Sequence, residues 1–233
     1  TAPATLPDDQ IQLRAKIGST VQTVTMADYL PGVIRAEMSP AFELEALTVD
    51  TGFPGMDFSG VQQLCDQLGV HYTLLKTDIK EIVFDVRQEE NPCSLCAKMR
   101  RGGLNDAMKA RGCNKLALGH HFDDAVETFM MSLLFEGRIS CFKPITYMSR
   151  AGVWQIRPML YAGEQRIANL AEKLSLPVVE NPCPQDKASK RKEIKDLLHT
   201  LSANYPDMKS KIFGSMQRLP LEGWGKEADR EQP

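Results

Sequence analysis

The sequence predicts an α/β fold: a mostly parallel sheet with helices on both faces. Two observations carry this prediction. Short β-branched or apolar runs alternate with longer segments of helical periodicity, and glycines stand at the ends of the helical segments. Alternation of this kind is typical of parallel sheets covered by helices, in which ligands bind at the carboxyl ends of the strands. We therefore expect function in the loops after Gly18, Asp50 and Leu118.

The first half of the chain gives three strands and two helices. The first strand ends at 16–18, and the apolar spacing from Thr20 to Met38 predicts a helix in spite of the Pro31-Gly32 pair. The other predicted elements are a strand at 42–49, a helix at 61–68 stopped by Gly69, and a strand at 70–75.

The second half repeats the pattern after a polar insert around 85–103. We predict helices at 100–111, 123–136, 164–174 and 188–201, and strands at 115–118 and 153–157. Residues 1–203 form one predicted domain, and 204–233 form a polar, turn-rich and partly flexible extension. No repeat or low-complexity tract is visible.

Bulk properties exclude several classes of protein. The 233 residues carry a formal net charge of −2, so any contact with nucleic acid must come from local basic clusters. No apolar run is long enough to span a membrane and no secretory signal pattern is visible, which predicts a cytoplasmic protein without membrane contact. The six cysteines include one C-x-x-C pair, which favours metal or redox chemistry over disulfides.

The segment L-G-H-H-F-D-D at 118–124 places a glycine, two imidazoles and two carboxylates at a strand-to-helix turn. Phosphates and metals bind at such turns. Gly119 lets the backbone approach a ligand, and Asp123 or Asp124 could hold Mg²⁺ on a triphosphate. The competing interpretation, with about even odds, is that one aspartate caps the helix and the histidines only pack.

Three cysteines lie in turns. Cys93 and Cys96 follow Asn91-Pro92, and Cys183 lies in a second Asn-Pro-Cys turn. Three thiolates leave one coordination position open, as a catalytic metal centre or cluster requires, whereas a redox dithiol or half a zinc site would use the pair alone. The remaining cysteines sit in or beside apolar elements and are expected to fill the core. They are Cys65, Cys113 and Cys141.

Each cysteine turn is followed by a basic cluster. By itself either cluster is typical of a solvated helix face with ordinary charge pairs, such as Glu193 with its lysine neighbours. Their shared position beside a cysteine favours contacts with RNA phosphates. The candidate RNA-binding residues are Lys98, Arg100, Arg101, Lys190 and Arg191.

Four segments together resemble the tRNA 2-thiocytidine biosynthesis family of PP-loop ATPases. They are C-S-L-C-A-K-M-R-R-G, L-A-L-G-H-H-F-D-D, I-R-P-M-L and S-K-R-K-E-I-K, in order between about residues 16 and 201. The resemblance implies an adenine-nucleotide α-hydrolase-like fold. It also implies a 4Fe-4S cluster with one open iron on Cys93, Cys96 and Cys183.

One family signature, the nucleotide loop Ser-Gly-Gly-x-Asp-Ser, is absent where it should follow the first strand. Gly18 runs directly into Ser19, and aligning Ser19 with the last serine of the signature leaves a deficit of roughly eight residues. We expect the natural protein to contain this loop. Gly18 and Ser19 are then the remnants of the nucleotide site.

The resemblance implies a reaction and its cofactors. ATP and Mg²⁺ would adenylate the oxygen at C2 of a tRNA pyrimidine, and sulfur from the cluster would replace it, with Cys93, Cys96, Cys183 and Asp124 in catalytic roles. The other implied nucleotide-binding residues are Gly18, Ser19, Asp50, Gly119, His120, Asp123 and Arg157. The implied partners are tRNA and a sulfur donor such as a cysteine desulfurase, and a homodimer is compatible with the sequence.

Three alternatives remain open at this stage. Cys93 or Cys96 could carry a persulfide that Cys183 resolves, with no cluster. The chain could be an RNA-binding zinc protein that has lost ATP chemistry, or a PP-loop enzyme that acts on another base or a small metabolite.

Overall fold

A computed structural model of the chain describes residues 12–17, 20–25, 43–88, 91–185 and 189–218, the first two segments as backbone only. The described residues fall into two compact units. The first lies within Thr1–Arg100 and Ala168–Glu180, and the second within Arg101–Ile167 and Asn181–Pro233. No helix in the described ranges is long and apolar enough to cross a membrane.

Strands and helices alternate between residues 45 and 136, which confirms the predicted α/β class. The strands are β1 (Gln12–Ile17), β2 (Thr20–Thr25), β3 (Glu45–Asp50), β4 (His71–Lys76), β5 (Lys115–Ala117), β6 (Ile145–Met148) and β7 (Val153–Ile156). The helices are α1 (Ser59–Leu68), α2 (Pro92–Ala110), α3 (Phe122–Glu136), α4 (Glu164–Lys173), α5 (Lys190–Ser202) and α6 (Met208–Arg218), with a π-helical segment at Glu81–Val86.

Parallel pairing joins the strands that lead into the predicted functional loops. In the first unit β3 pairs with β4 in parallel, with Asp50 opposite Lys76. In the second unit β5 pairs with β7 in parallel, and β6 adds to β7 in antiparallel orientation. The loops after Asp50 and after Leu118 therefore each leave the carboxyl end of a parallel strand pair, where α/β folds bind ligands.

The helix predicted at 20–38 is wrong for its first six residues. Thr20–Thr25 is a strand, paired antiparallel with β1 so that Ile17 lies opposite Thr20. Five of its six residues are β-branched, and such side chains favour a strand because a helix restricts their χ1 rotamers. The nucleotide-loop prediction at Gly18 and Ser19, and the rest of the predicted helix, lie outside the described residues.

The second unit is built around α3. Ala125, Val126 and Phe129 of this helix pack with Leu160 and with buried residues of the last two helices, Ile194, Leu198, Phe213 and Met216. The segment after Asn204 was predicted to be polar and turn-rich, yet its residues 208–218 form α6. Phe213 is 5% exposed and Met216 fully buried, so this helix is part of the core.

Candidate functional site

The turn between β5 and α3 carries the G-H-H-F-D-D segment on a fixed backbone. The Leu118 amide donates to the Ile156 carbonyl at 2.9 Å, which extends the parallel pairing of β5 and β7 by one residue. At Gly119 an added Cβ would stand 3.4 Å from the Met159 side chain. Glycine therefore allows the close approach of this backbone to the turn after β7.

His121, and neither aspartate, caps the N-terminus of α3. Its Nδ1 accepts from the Asp124 amide at 3.4 Å, and the Asp124 carboxylate accepts from the His121 amide at 3.0 Å. This reciprocal pair is a capping box, in which two free backbone donors are satisfied at once. The expectation that Asp123 or Asp124 is the capping residue is wrong by two or three positions.

Asp123 ties together three parts of the second unit. Its carboxylate, on a residue only 7% exposed, accepts from the Glu164 amide at 2.8 Å and from Lys209 Nζ at 2.7 Å. Burial alone would raise the pKa of Asp123, but these two hydrogen bonds outweigh burial and hold the pKa below its usual value. Asp123 thus caps the start of α4 and pairs with the first turn of α6.

Arg191 joins α5 to the start of α3 through three side chains. Its guanidinium donates to Asp124 at 3.3 Å, to Glu127 at 3.0 Å and to Thr128 at 3.1 Å. Burial raises the pKa of Glu127, against the opposing pull of the Arg191 charge. The structure engages the guanidinium of Arg191, a predicted RNA contact, in this intramolecular network and leaves the side chain 41% exposed.

His120 and Arg157 both lie beside the Phe142 ring. The His120 ring centroid is 5.0 Å from that of Phe142, and the Arg157 guanidinium carbon is 4.6 Å from the same ring. His120 Nδ1 and Arg157 Nε are buried and have no hydrogen-bond partner in the described part of the chain. Burial, with the nearby Arg157 charge, lowers the pKa of His120, so its imidazole is neutral at pH 7.

The positive charge near His120 is concentrated. Arg157 donates to the Lys143 carbonyl and, at 3.4 Å, to the Gln155 side chain. Burial first, and then the charge of Arg101, lower the pKa of Arg157. The charges of Arg157 and Arg191 thus both act on His120, and the charge of Arg101 acts on Arg157. Positive charges grouped in this way attract anions.

Asp50 ends β3 in the first unit and fixes the following loop. Its side chain accepts from the Gly52 amide at 2.9 Å, and its carbonyl accepts from the Thr77 hydroxyl at 2.7 Å. An open cavity of about 410 Å³ lies beside this loop. It is lined by Gly52, Thr77, Asp78, Lys80, Glu81, Asp85 and Val86.

The C-x-x-C pair lies in the first turn of α2, not in a loop before the helix. Pro92 is the first helical residue, where its fixed φ and missing N–H cost nothing, and the helix therefore starts eight residues before the prediction. Cys93 and Cys96 are three positions apart, exposed and half-buried respectively, and neither is in a disulfide. Residues at this spacing project from one side of a helix.

Cys183 is a half-buried free thiol in the second unit, and its amide donates to the Asn181 side chain at 3.2 Å. Among the residues with described positions, no group of three or more His, Cys, Asp or Glu side chains could hold a metal ion. The other three cysteines are also free. Burial raises the pKa of the Cys141 thiol to about 12, which agrees with a role in the core.

The basic residues predicted to contact RNA divide into two groups. Lys98, Arg100 and Arg101 are exposed on α2. Lys190 is paired with Glu193 at 2.9 Å and lies over the Phe135 ring, as the solvated-face interpretation predicts.

The structure also reveals contributors that sequence reasoning missed: Glu127, Thr128, Phe142 and Lys209. A lone glutamate among apolar residues of α3 is a sequence signal for Glu127. No feature of the sequence indicates a role for Thr128, Phe142 or Lys209.

Comparison with known proteins agrees with this arrangement. A family model described as a PP-loop domain matches residues 43–201. The chain is 33% identical over 181 residues to the tRNA-cytidine(32) 2-sulfurtransferase of Pelobacter propionicus, covering 76% of this chain and 67% of that one. It is 35% identical over 177 residues to the enzyme of the same name from Anaeromyxobacter dehalogenans, covering 75% and 61%.

A solved structure extends the likeness to the fold. The U34-tRNA thiolase NcsA from Methanococcus maripaludis, determined with its [4Fe-4S] cluster, matches with a TM-score of 0.61 and 27% identity. The match covers 82% of this chain and 63% of that one. The chain thus spans about two thirds of the length of these relatives. The region matched by the family model contains the parallel strand pairs and the G-H-H-F-D-D turn described above. The chain belongs to the PP-loop family, in its tRNA 2-thiocytidine biosynthesis branch.

Proposed function

We propose that the chain is an ATP-dependent tRNA sulfurtransferase that replaces the oxygen at C2 of a pyrimidine with sulfur. The observation that carries this proposal is the match, over about three quarters of the chain, to relatives named tRNA-cytidine(32) 2-sulfurtransferase. The absence of disulfides at Cys93, Cys96 and Cys183 supports it, because sulfur transfer requires sulfur ligands that are not consumed in disulfides. Cytidine 32 is the target named for these relatives and is our first candidate.

Cys93, Cys96 and Cys183 would hold a 4Fe-4S cluster as three thiolate ligands. The donor chemistry fits, because none of the three cysteines is in a disulfide and thiolates are the usual ligands of iron–sulfur clusters. Cys93 and Cys96 are presented on one side of a helix turn whose Pro92 fixes the backbone. When bound, the cluster would supply an open iron position that presents sulfide to the activated base.

Activation of the base would use ATP at the carboxyl ends of the strands. The C2 oxygen attacks the α-phosphate, pyrophosphate leaves, and the poor leaving group becomes AMP. Sulfide then attacks C2 and AMP departs. Arg157 and His120 support this step, because a guanidinium and a neutral imidazole with unpartnered buried nitrogens can donate to phosphate oxygens. Asp50, Gly119 and the segment at Gly18 and Ser19 complete the proposed nucleotide site.

Asp124 is better suited than Asp123 to position Mg²⁺ on the phosphates. The Asp124 side chain is 23% exposed, and it accepts from the His121 amide at 3.0 Å and from Arg191 at 3.3 Å. The Asp123 side chain is 10% exposed and is held more closely, by Lys209 at 2.7 Å and the Glu164 amide at 2.8 Å. A carboxylate must offer a free lone pair to a hard cation. We assign Asp123 to hold the turn and Asp124 to the metal.

The partners follow from the reaction. Lys98, Arg100 and Arg101 are exposed beside the C-x-x-C pair and would neutralise tRNA phosphates. A cysteine desulfurase would supply the sulfur, and a homodimer in the cytoplasm, where tRNA is found, completes the proposal.

Anaerobic purification tests the cluster. We expect a brown protein with about four iron atoms per chain. Cys93→Ser, Cys96→Ser and Cys183→Ser should each lose most of the iron and the visible absorbance. Cys113→Ser, which changes another half-buried free thiol, should keep both. A colourless protein that still thiolates tRNA would favour the persulfide route, and bound zinc without pyrophosphate release would favour the RNA-binding zinc protein.

Two further measurements test the substrate. Mass spectrometry of tRNA nucleosides from a deletion strain should show the loss of one thiolated pyrimidine, restored by the wild-type gene and not by the Cys183→Ser variant. Pyrophosphate release should be stimulated by bulk tRNA. Equal stimulation by free nucleosides would instead indicate an enzyme of small metabolites.

A further inference from the structure

Tyr161 is an exposed aromatic side chain on a rigid turn beside the proposed reaction site. It lies in the turn after β7, four residues beyond Arg157, and is 75% exposed. Single exposed apolar residues are common on protein surfaces, so exposure by itself indicates nothing. The residues around Tyr161 indicate a function for its exposed ring.

The backbone on both sides of Tyr161 is fixed. Leu160 is 2% exposed and belongs to the core cluster of the second unit. The Ala162 carbonyl accepts from the Phe122 amide at 3.0 Å, and the Ala162 amide donates to the Met159 carbonyl at 2.9 Å. The backbone that carries the ring is therefore held in place before any partner binds, which reduces the entropy lost on binding.

An aromatic row connects Tyr161 to the start of α3. Its ring packs edge-on against Phe213 at 5.6 Å, and Phe213 lies 4.8 Å from Phe122. Phe122 immediately precedes Asp123. Most of the Tyr161 ring surface stays open, since the residue is 75% exposed. Gln217 donates to its hydroxyl at 3.5 Å, which supports the ring from the side of α6.

The helix beneath Tyr161 is basic. α6 contains Lys209, Lys211 and Arg218 and no acidic residue. Only one of these cations is neutralised by an ion pair in the described part of the chain, Lys209 with Asp123. An exposed aromatic ring packed on a basic helix is a combination with which proteins bind unstacked nucleotides, because stacking holds the base and the cations attract the phosphates.

We propose that Tyr161 is the stacking platform for an unpaired base of the tRNA substrate. This inference rests on the proposed function, since it names the contact by which the same site holds its RNA. A base stacked on Tyr161 would lie beside the turn that carries Asp123 and Asp124. The nucleotide that stacks is the target or its immediate neighbour in the loop.

Fluorescence anisotropy of the full chain with bulk tRNA, purified from a strain that lacks this gene, tests the platform. Tyr161→Ala and Tyr161→Leu should weaken binding by about five- to a hundredfold, the range for losing one stacked base. Tyr161→Phe keeps the ring and should bind within about twofold of the wild type. Tyr205→Ala removes another exposed tyrosine, 63% exposed, and serves as the matched control with unchanged affinity.

Two additional readouts separate stacking from other roles. The slope of log affinity against log salt should be the same for Tyr161→Ala and the wild type, because no charge is removed. Affinity for a non-hydrolysable ATP analogue should also be unchanged, since the platform holds RNA and not the adenine of ATP.

Several outcomes would overturn the inference. Unchanged tRNA affinity in Tyr161→Ala would do so while leaving the proposed function intact. Loss of ATP-analogue affinity with unchanged tRNA affinity would assign the ring to adenine. Equal losses in Tyr161→Phe and Tyr161→Ala would assign the effect to the hydroxyl. A wild-type chain that binds no tRNA would contradict the proposed function and the platform together.

Discussion

Replacement of Arg191 by methionine should destabilise the second unit by about 2 kcal/mol. The perturbation removes the guanidinium that bridges Asp124, Glu127 and Thr128 while keeping a long apolar stem. Glu127 decides the size of the effect, because its side chain is only 6% exposed and its charge then has no partner in the described part of the chain.

The expected loss of stability depends on how deeply Arg191 and Glu127 are each buried. Breaking a fully buried ion pair costs about 3–5 kcal/mol, and a charge-assisted hydrogen bond contributes about 1.5–3 kcal/mol. The Arg191 side chain is 41% exposed, so solvent screens the pair and the lower range applies. For a chain of this size, about 2 kcal/mol lowers Tm by about 4–8 °C.

The loss should grow with pH. Burial raises the pKa of Glu127, so the folded state favours the protonated carboxyl. The stability gained from protonation is present below the ordinary pKa of about 4.3 and is lost as pH rises through the folded value. Without Arg191 the folded pKa rises further. The Tm difference between the variant and the wild type should therefore be larger at pH 7.5 than at pH 4.5.

Thermal melts followed by circular dichroism measure the effect. Lys192→Met is the matched control, since Lys192 makes only an exposed pair with Asp196 one turn away, worth less than about 0.5 kcal/mol. Adding Glu127→Gln to Arg191→Met should recover part of the loss, because the buried charge disappears. A wild-type Tm in Arg191→Met at pH 7.5 would refute this account of the network.

Four other substitutions give three direct tests of the fold. Met216→Ala removes a fully buried side chain of α6 and should cost about 2–4 kcal/mol in urea denaturation; a surface extension would tolerate it without loss. Gly52 and Gly55 both have positive φ, but only at Gly52 would a Cβ meet a backbone carbonyl, at 3.0 Å. Gly52→Ala should therefore lower Tm more than Gly55→Ala, and equal shifts would contradict the clash. Asp123→Asn should lower the free energy of unfolding by about 1–3 kcal/mol at pH 7. Because the folded pKa of Asp123 is lowered, this difference from the wild type should shrink as pH falls below about 4, where Lys209 loses its charged partner in the wild type too. A constant difference down to pH 3 would contradict the ion pair.

Elements with strong local signals could be predicted from the sequence. Gly69 adopts φ 60° and ends α1 at the residue where its left-handed conformation costs nothing. α3 and α5 show clear apolar periodicity and begin within one or two residues of their predicted starts. In both helices the local preference and the packing agree, so the sequence alone was sufficient.

The errors have physical causes of a different kind. In α2 a proline at the first helical position was taken for part of a loop, although a proline at this position favours a helix start. In β2 the spacing of the apolar residues is compatible with both a helix and a strand, and the β-branched residues favour the strand. α6 is short, and its stability comes from packing against α3 and α5, which is invisible in local sequence.

In the candidate site, too, local features could be predicted from the sequence and long-range contacts could not. Residue types and their spacing predicted which turns carry the chemistry, because glycine, histidine, aspartate and cysteine have few other reasons to cluster there. They could not predict that Arg191 donates a hydrogen bond to Glu127, since 64 residues separate the two in sequence. Contacts of this range depend on the packing of α5 against α3, which no local pattern encodes.

The ion pair between Lys209 and Asp123 has a consequence for synthesis of the chain. The two residues are 86 positions apart, and the second lies in the last described helix. While the ribosome is still producing the segment between them, Asp123 is without its cation and the groove that Phe213 and Met216 fill is open to water. The family model ends at residue 201, so a chain cut at that boundary would retain the matched region but lose the amine that holds the turn. The boundary of the homologous region is thus not the boundary of the folding unit, and expression of this protein should extend at least through Arg218.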